Sequence, residues 1–178
     1  MKKKPRIIYV IGFMGCGKST AGKKLASVLG WNFMDLDELI EKNYSQSIEE
    51  IFMLSGENAF RKYESAILHD LIIGSDTVIA VGGGTPCFSK NLEFMKMTGK
   101  VVYLKLTPVM LRNRISADKK PRPLLKGLKE EELKKFIELR LIEREPYYLQ
   151  AGLVVDGTDP DIELLAEKAM QMFTGRRE

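Results

Sequence analysis

Histidine and tryptophan occur once each in the 178 residues, as His69 and Trp31, and cysteine only twice, as Cys16 and Cys87. The lone histidine falls within a predicted helix and reads as a surface or packing residue, which leaves a histidine-based mechanism without support. Two cysteines make no disulfide framework, and Cys16 sits in a glycine-rich turn where a crosslink would obstruct the backbone, so a reducing, cytoplasmic setting is expected. No run approaches the ~20 apolar residues of a membrane span. Neither sign of charge dominates: 28 Lys and Arg against 24 Asp and Glu leave +4. That excess is too mild to require nucleic acid but suits small anionic ligands. Neither an aromatic platform nor a long basic stripe supports nucleic-acid binding. Internal repeats, low-complexity segments and hairpin signals are also missing.

What remains is an ordinary globular composition, 44% apolar and 29% charged, in a length that suits one domain over residues 1–178. Lys2, Lys3, Lys4 and Arg6 ahead of the apolar run Ile7–Gly15 imitate a signal peptide. The same residues are better explained as a buried strand, Arg6–Ile11, running into a loop. Helical periodicity follows over Ser19–Leu29, then a short strand over Asn32–Asp35 and helices over about Asp37–Asn43 and Ile48–Leu54, with Ser47 and Glu50 at capping-box spacing. A longer helix is read over Glu57–Ile73, and further strands over Thr77–Val81, Lys100–Leu106 and Leu153–Val155. Pro108–Ala117 and Glu130–Gln150 read as helices, the second broken by Pro146, and a last amphipathic helix carries Ile162, Leu165, Ala166, Ala169, Met170 and Phe173. Between them, residues of about 116–128 lose apolar periodicity and gather Lys119, Lys120, Pro121, Arg122 and Pro123, a composition that predicts a mobile lid. No element is assigned to residues 85–99. The alternation of strands and helices predicts a three-layer α/β domain with a parallel sheet.

The strongest chemical signal is Gly12-Phe-Met-Gly15-Cys16-Gly17-Lys18-Ser19-Thr20, a G-x-x-x-x-G-K-[ST] phosphate loop between a predicted strand and a predicted helix. Glycines there let backbone N–H groups converge on phosphate oxygens, and the helix adds the positive end of its dipole. Lys18 is expected to reach the β- and γ-phosphates of a nucleotide and Ser19 to ligate Mg²⁺. Asp35 and Asp37 end the second strand, at the carboxyl edge of the sheet where ligands bind. They read either as a metal holder and a partner for an acceptor hydroxyl, or as caps of the next helix. Phe60-Arg61-Lys-Tyr-Glu64 places Arg61 and Glu64 on one helix face, alone no more than a solvated ion pair. Val78–Val81 ends in Gly82, Gly83 and Gly84, a pattern that exposes backbone N–H groups to a close ligand, with no acidic residue at the strand end. Arg122-Pro-Leu-Leu lies in the basic stretch, and Arg144-Glu-Pro-Tyr-Tyr closes the following helix.

These motifs, in this order and through nearly the whole chain, resemble the shikimate kinase family. The resemblance implies a P-loop NTPase domain of the nucleoside-monophosphate-kinase-like group, with a five-stranded parallel sheet of order 2-3-1-4-5. It also implies transfer of the ATP γ-phosphoryl group to the 3-hydroxyl of shikimate, on the route to chorismate and the aromatic amino acids, by a monomer using Mg²⁺. By the same resemblance Lys18 and Ser19 are the phosphate-loop lysine and metal-ligating hydroxyl, Asp35 serves the metal, and Asp37 contacts the ring hydroxyls. Arg61 and Arg144 hold the substrate carboxylate, Gly82–Gly84 lie at the substrate, and Arg122 is the lid arginine facing the phosphates. The arginine stacked on adenine is Arg114 or Arg112. Cys16 stands where serine is commoner and Tyr147 where leucine is usual. Two other readings remain: a kinase for another polyol such as gluconate, and a catalytically silent nucleotide-binding module.

Overall fold

In the computed structural model of the chain, residues 4–118, 125 and 127–175 are described. Five strands, β1 (Ile7–Ile11), β2 (Asn32–Asp35), β3 (Thr77–Ala80), β4 (Lys100–Lys105) and β5 (Leu153–Asp156), form one sheet of order β2-β3-β1-β4-β5. Every pairing is parallel, with Ile8 opposite Val78 on one side and Lys100 on the other. All five residues of β1 and all four of β3 are buried. A strand buried on both sides needs layers above and below it, which is the three-layer arrangement expected from the run of β-branched residues.

Among the described residues, seven helices supply those layers: α1 (Lys18–Leu29), α2 (Leu36–Tyr44), α3 (Ile48–Asp70), α4 (Asn91–Thr98), α5 (Pro108–Ala117), α6 (Glu130–Tyr148) and α7 (Ile162–Thr174). Their ends are set by local chemistry. Ser47 and Glu50 form the predicted capping box of α3, Thr107 caps α5 through Met110 N–H, and Asp161 caps α7 through Leu164 N–H. Gly30 closes α1 in the left-handed region.

The two helices read over 48–54 and 57–73 are borne out as two segments of α3, separated at Gly56, whose φ of 77° is outside helical space, and the second ends at Asp70. Two expectations are corrected. Pro146 does not break α6, which runs on to Tyr148. The missing N–H costs only the bond to the carbonyl of Ile142, a residue 71% exposed whose turn faces water. Residues 85–99 hold a 3₁₀ turn, Thr85–Cys87, and α4. The entry to α4 is Lys90 with no side-chain cap, so the usual sequence signal of a helix start is missing there.

Gly99 joins α4 to β4 at the end of the sheet remote from the phosphate loop. A Cβ there would stand 2.6 Å from the carbonyl oxygen of Ile7 and 2.9 Å from the Tyr9 ring. Backbone cannot yield as a side chain can, so Gly99→Ala is expected to cost about 1–3 kcal/mol. In urea unfolding the midpoint should fall with the slope unchanged.

Candidate active site

The loop between β1 and α1 bends as its glycines require: Gly12, Gly15 and Gly17 have φ of 145°, 78° and 96°. A Cβ on Gly12 would lie 2.7 Å from the Leu104 carbonyl oxygen and 2.8 Å from Cys16 Sγ. Cys16 is 1% exposed and fills the loop, as expected for a small packing residue. Lys18 Nζ donates to Phe13 O at 3.0 Å, so its ammonium folds over the cradle formed by the loop. Asp35 caps the next helix, one of the two readings left open by the sequence, and also meets Ser19. Its Oδ1 caps α2 by accepting from Asp37 N–H at 3.0 Å, while its Oδ2 accepts from Ser19 Oγ at 2.5 Å.

Beside the loop lies a cavity of about 260 Å³ lined by Cys16, Gly17, Thr20, Lys24, Arg114 and Pro160, among others. Arg114 is fixed there by donating to the carbonyls of Cys16, Gly157 and Thr158 at 2.9, 3.1 and 2.6 Å. Arg112 instead bonds its neighbour Asn113. Of the two candidates, Arg114 is the one that lies beside the phosphate loop. The segment Gly157–Ile162 after β5 was not singled out from sequence. Its position at the carboxyl end of a parallel strand was the available signal.

The glycine triplet after β3 brings the remaining parts together. A Cβ on Gly82 would meet Glu64 Oε1 at 2.7 Å and Asp37 Oδ1 at 3.3 Å, and one on Gly83 would meet Met14 N at 2.9 Å. One on Gly84 would meet the Arg61 guanidinium at 2.5 Å. Tyr148 donates its hydroxyl to Gly83 O at 2.5 Å, a contact that ties the end of α6 to the triplet.

Arg61 and Glu64, read as a solvated ion pair, are both buried, 7% and 0% exposed. Arg61 Nη1 donates to Glu64 Oε2 at 2.9 Å and Nη2 to Glu57 Oε1 at 3.1 Å. Glu64 Oε1 accepts from Thr85 Oγ1 at 2.5 Å. Burial works against the Arg61 charge, but Glu64 and Glu57 outweigh it and raise the pKa above the ordinary arginine value. Arg144 is 4% exposed, with its Cζ 5.7 Å from the Phe13 ring. Arg61 Nε and Arg144 Nη1 are buried without a hydrogen-bond partner among the described residues. A buried cationic N–H left unmatched carries its full desolvation penalty, so each of these nitrogens calls for a further acceptor. Arg122, and with it most of the predicted lid, lies outside the described residues.

The pattern of the shikimate kinase family matches residues 14–174. The chain belongs to the shikimate kinase family. A shikimate kinase of Parabacteroides distasonis is 40% identical over 170 residues, which cover 93% of this chain and 98% of that one. The crystal structure of the Bacteroides thetaiotaomicron shikimate kinase superposes with a TM-score of 0.85 at 36% identity, covering 96% of this chain and 99% of its own. That of the Acinetobacter baumannii shikimate kinase, in complex with shikimate, gives 0.82 at 34% identity, covering 96% and 93%. A gluconokinase of Sinorhizobium meliloti, at 16% identity and a TM-score of 0.60, shares the fold alone. As a shikimate kinase family member the chain is an ATP-dependent small-molecule kinase of aromatic biosynthesis. Among the described residues no helix is long and apolar enough to cross a membrane.

Two outcomes follow for the acceptor side of this shikimate kinase fold. Gly84→Ala must push the Arg61 guanidinium aside, and it is expected to raise KM for shikimate by roughly tenfold, the worth of one charge-assisted bond, with KM for ATP little changed. Burial pushes the Cys87 thiol up to about 11, against the opposing pull of Arg144 and Arg61, from an ordinary 9.0. Only the thiolate is alkylated. Iodoacetamide labelling of Cys87 at pH 8, read by mass spectrometry, should be about 100-fold slower in the folded protein than in the urea-unfolded chain, and should accelerate as the pH rises toward 11.

Proposed function

We propose that this chain transfers the γ-phosphoryl group of MgATP to the 3-hydroxyl of shikimate, giving ADP and shikimate 3-phosphate, and that it acts as a monomer. The observation that carries the reading is Arg61, buried beside Gly84 with Nε unmatched among the described residues, together with a second buried arginine, Arg144, near the Phe13 ring of the phosphate loop. Guanidinium forks match one carboxylate bidentately, and shikimate brings one carboxylate and ring hydroxyls.

In this reading Gly12, Gly15, Cys16, Gly17 and Thr20 wrap the phosphates and the base lies against Arg114. Lys18 turns from Phe13 O to the β- and γ-phosphates when nucleotide arrives. Ser19 Oγ and Asp35 Oδ2 are adjacent hard oxygen donors. Among the described residues there is no group of three or more His, Cys, Asp or Glu side chains able to hold a metal. Few protein ligands, with water and phosphate completing the shell, is the manner in which Mg²⁺ is held beside a nucleotide. The residues therefore fit, and the ion when bound neutralises charge on the β- and γ-phosphates.

Arg61 and Arg144 fix the carboxylate, and Gly82–Gly84, lacking side chains, let the ring approach the backbone. Asp37 orients the attacking hydroxyl. As its oxygen bonds to the γ-phosphorus, the bond to the bridging oxygen of ADP breaks and the hydroxyl proton passes to the Asp37 carboxylate. Arg122 is assigned to charge on the transferring group from its place in R-P-L-L alone. Positioning and charge stabilisation supply most of the rate in such transfers.

ADP release from MgATP is the direct test, with shikimate as acceptor and gluconate as control. Shikimate-dependent release, absent with gluconate, is the expected result. Asp37→Asn should lower kcat by about 10²-fold or more with ATP affinity nearly intact. Release on neither acceptor, with ATP still bound, would instead indicate a silent nucleotide-binding module.

A further inference from the structure

Arg61 has contacts that its motif partners do not explain. Its guanidinium carbon stands 5.0 Å from the centroid of the Phe60 ring and 4.6 Å from that of Phe88, both within cation–π range. Phe60 is its neighbour on α3. Phe88 comes from elsewhere, the loop between the 3₁₀ turn and α4, and belongs to none of the motifs read from the sequence. It is 37% exposed, a partly open aromatic at the edge of an otherwise buried cation.

The loop that presents Phe88 is held in an unusual shape. Ser89 and Lys90, with φ of 50° and 57°, are two successive non-glycine residues in the left-handed region, which such residues seldom adopt. Conformations of this kind persist where the surroundings over-determine them, and here Asn91 does so. Asn91 is fully buried, donates its backbone N–H to Phe88 O at 2.9 Å and Nδ2 to Thr85 O at 3.0 Å, and accepts from Ser65 Oγ at 2.8 Å. Thr85 in turn bonds Glu64, the partner of Arg61. The backbone around Phe88 is thus tied to the same network that fixes the edges of the guanidinium. Those edges meet Glu64 and Glu57, and the tilt of the plane falls to whatever packs against its faces.

We propose that Phe88 is a positioning residue for the acceptor carboxylate: its ring, offered by a strained loop from a separate element, holds the Arg61 guanidinium in the plane in which it pairs with that anion. The proposal rests on the reading of Arg61 as a carboxylate anchor. It needs the ring's π face, not its bulk.

Steady-state kinetics with shikimate varied at saturating ATP, alongside thermal unfolding, would be compared for wild type, Phe88→Ala, Phe88→Leu, Phe88→Tyr and Arg61→Ala. KM for shikimate is expected to rise about 3- to 30-fold in Phe88→Ala and Phe88→Leu and to return to within about twofold of wild type in Phe88→Tyr, with kcat, KM for ATP and Tm little changed. A wild-type KM in Phe88→Leu overturns the proposal, because bulk without a ring then suffices. So does a wild-type KM in Phe88→Ala while Arg61→Ala loses shikimate affinity. Wild-type affinity in Arg61→Ala would remove the anchor itself, and the role of Phe88 with it.

Discussion

Three consecutive residues without side chains, Gly82, Gly83 and Gly84, are the constraint on which the rest of the site depends. Each gives its empty Cβ position to a different neighbour: Gly82 to Glu64 and Asp37, Gly83 to the backbone of the phosphate loop, Gly84 to the guanidinium of Arg61. None of these glycines has a positive φ, so the requirement is for space and not for an unusual backbone conformation. The triplet ends β3, which lies between β1 and β2 in the sheet. The strand order therefore places it between the loop that follows β1 and the carboxylates that end β2.

Around that hub the electrostatics are those of a site prepared for one small anion. Two arginines are nearly fully buried, which costs several kcal/mol per ion unless partners are supplied. Glu64 and Glu57 supply them for Arg61 on two of its edges. The acid that is wholly buried, Glu64, is itself satisfied on both oxygens, by Arg61 and by Thr85. The protein thus keeps a guanidinium charged, oriented and desolvated. Preorganisation of this sort strengthens recognition because the ordering cost is met in folding and not at binding.

Much of this was legible in the sequence because the relevant signals were local. The phosphate loop, the capping box at Ser47 and Glu50, and the buried runs of β1 and β3 each depend on spacing within a few residues. Asp35 was legible as ambiguous, and its Oδ1 performs the capping role while Oδ2 accepts from Ser19. The misses have a common cause in long-range contacts. Arg61 and Glu64 look like a surface pair on α3 until the triplet and Thr85 close over them. Pro146 looks like a helix terminator until the solvent-facing carbonyl it frees is located. Residues 85–99 carry little periodic signal, and Phe88 acquires its meaning only from a cation 27 positions away in the chain.

The distribution of these contacts also separates what the fold supplies from what the acceptor site adds. In the proposed reading the nucleotide half uses the β1–α1 loop, Arg114 from α5 and the segment after β5, all at the carboxyl edge of the sheet. The resemblance to a gluconokinase at 16% identity, which covers 99% of the chain, reflects the shared fold alone. In the same reading, the acceptor side is built from α2, α3, the 3₁₀ turn and the end of α6, which contribute Asp37, Arg61, Thr85, Arg144 and Tyr148. The two halves meet where Met14 N and Gly12 O of the phosphate loop approach Gly83, and Tyr148 grips the carbonyl of that same residue. A displacement of the triplet would therefore move both the phosphate cradle and the carboxylate anchor, so one short turn sets the distance between the phosphoryl group and its acceptor.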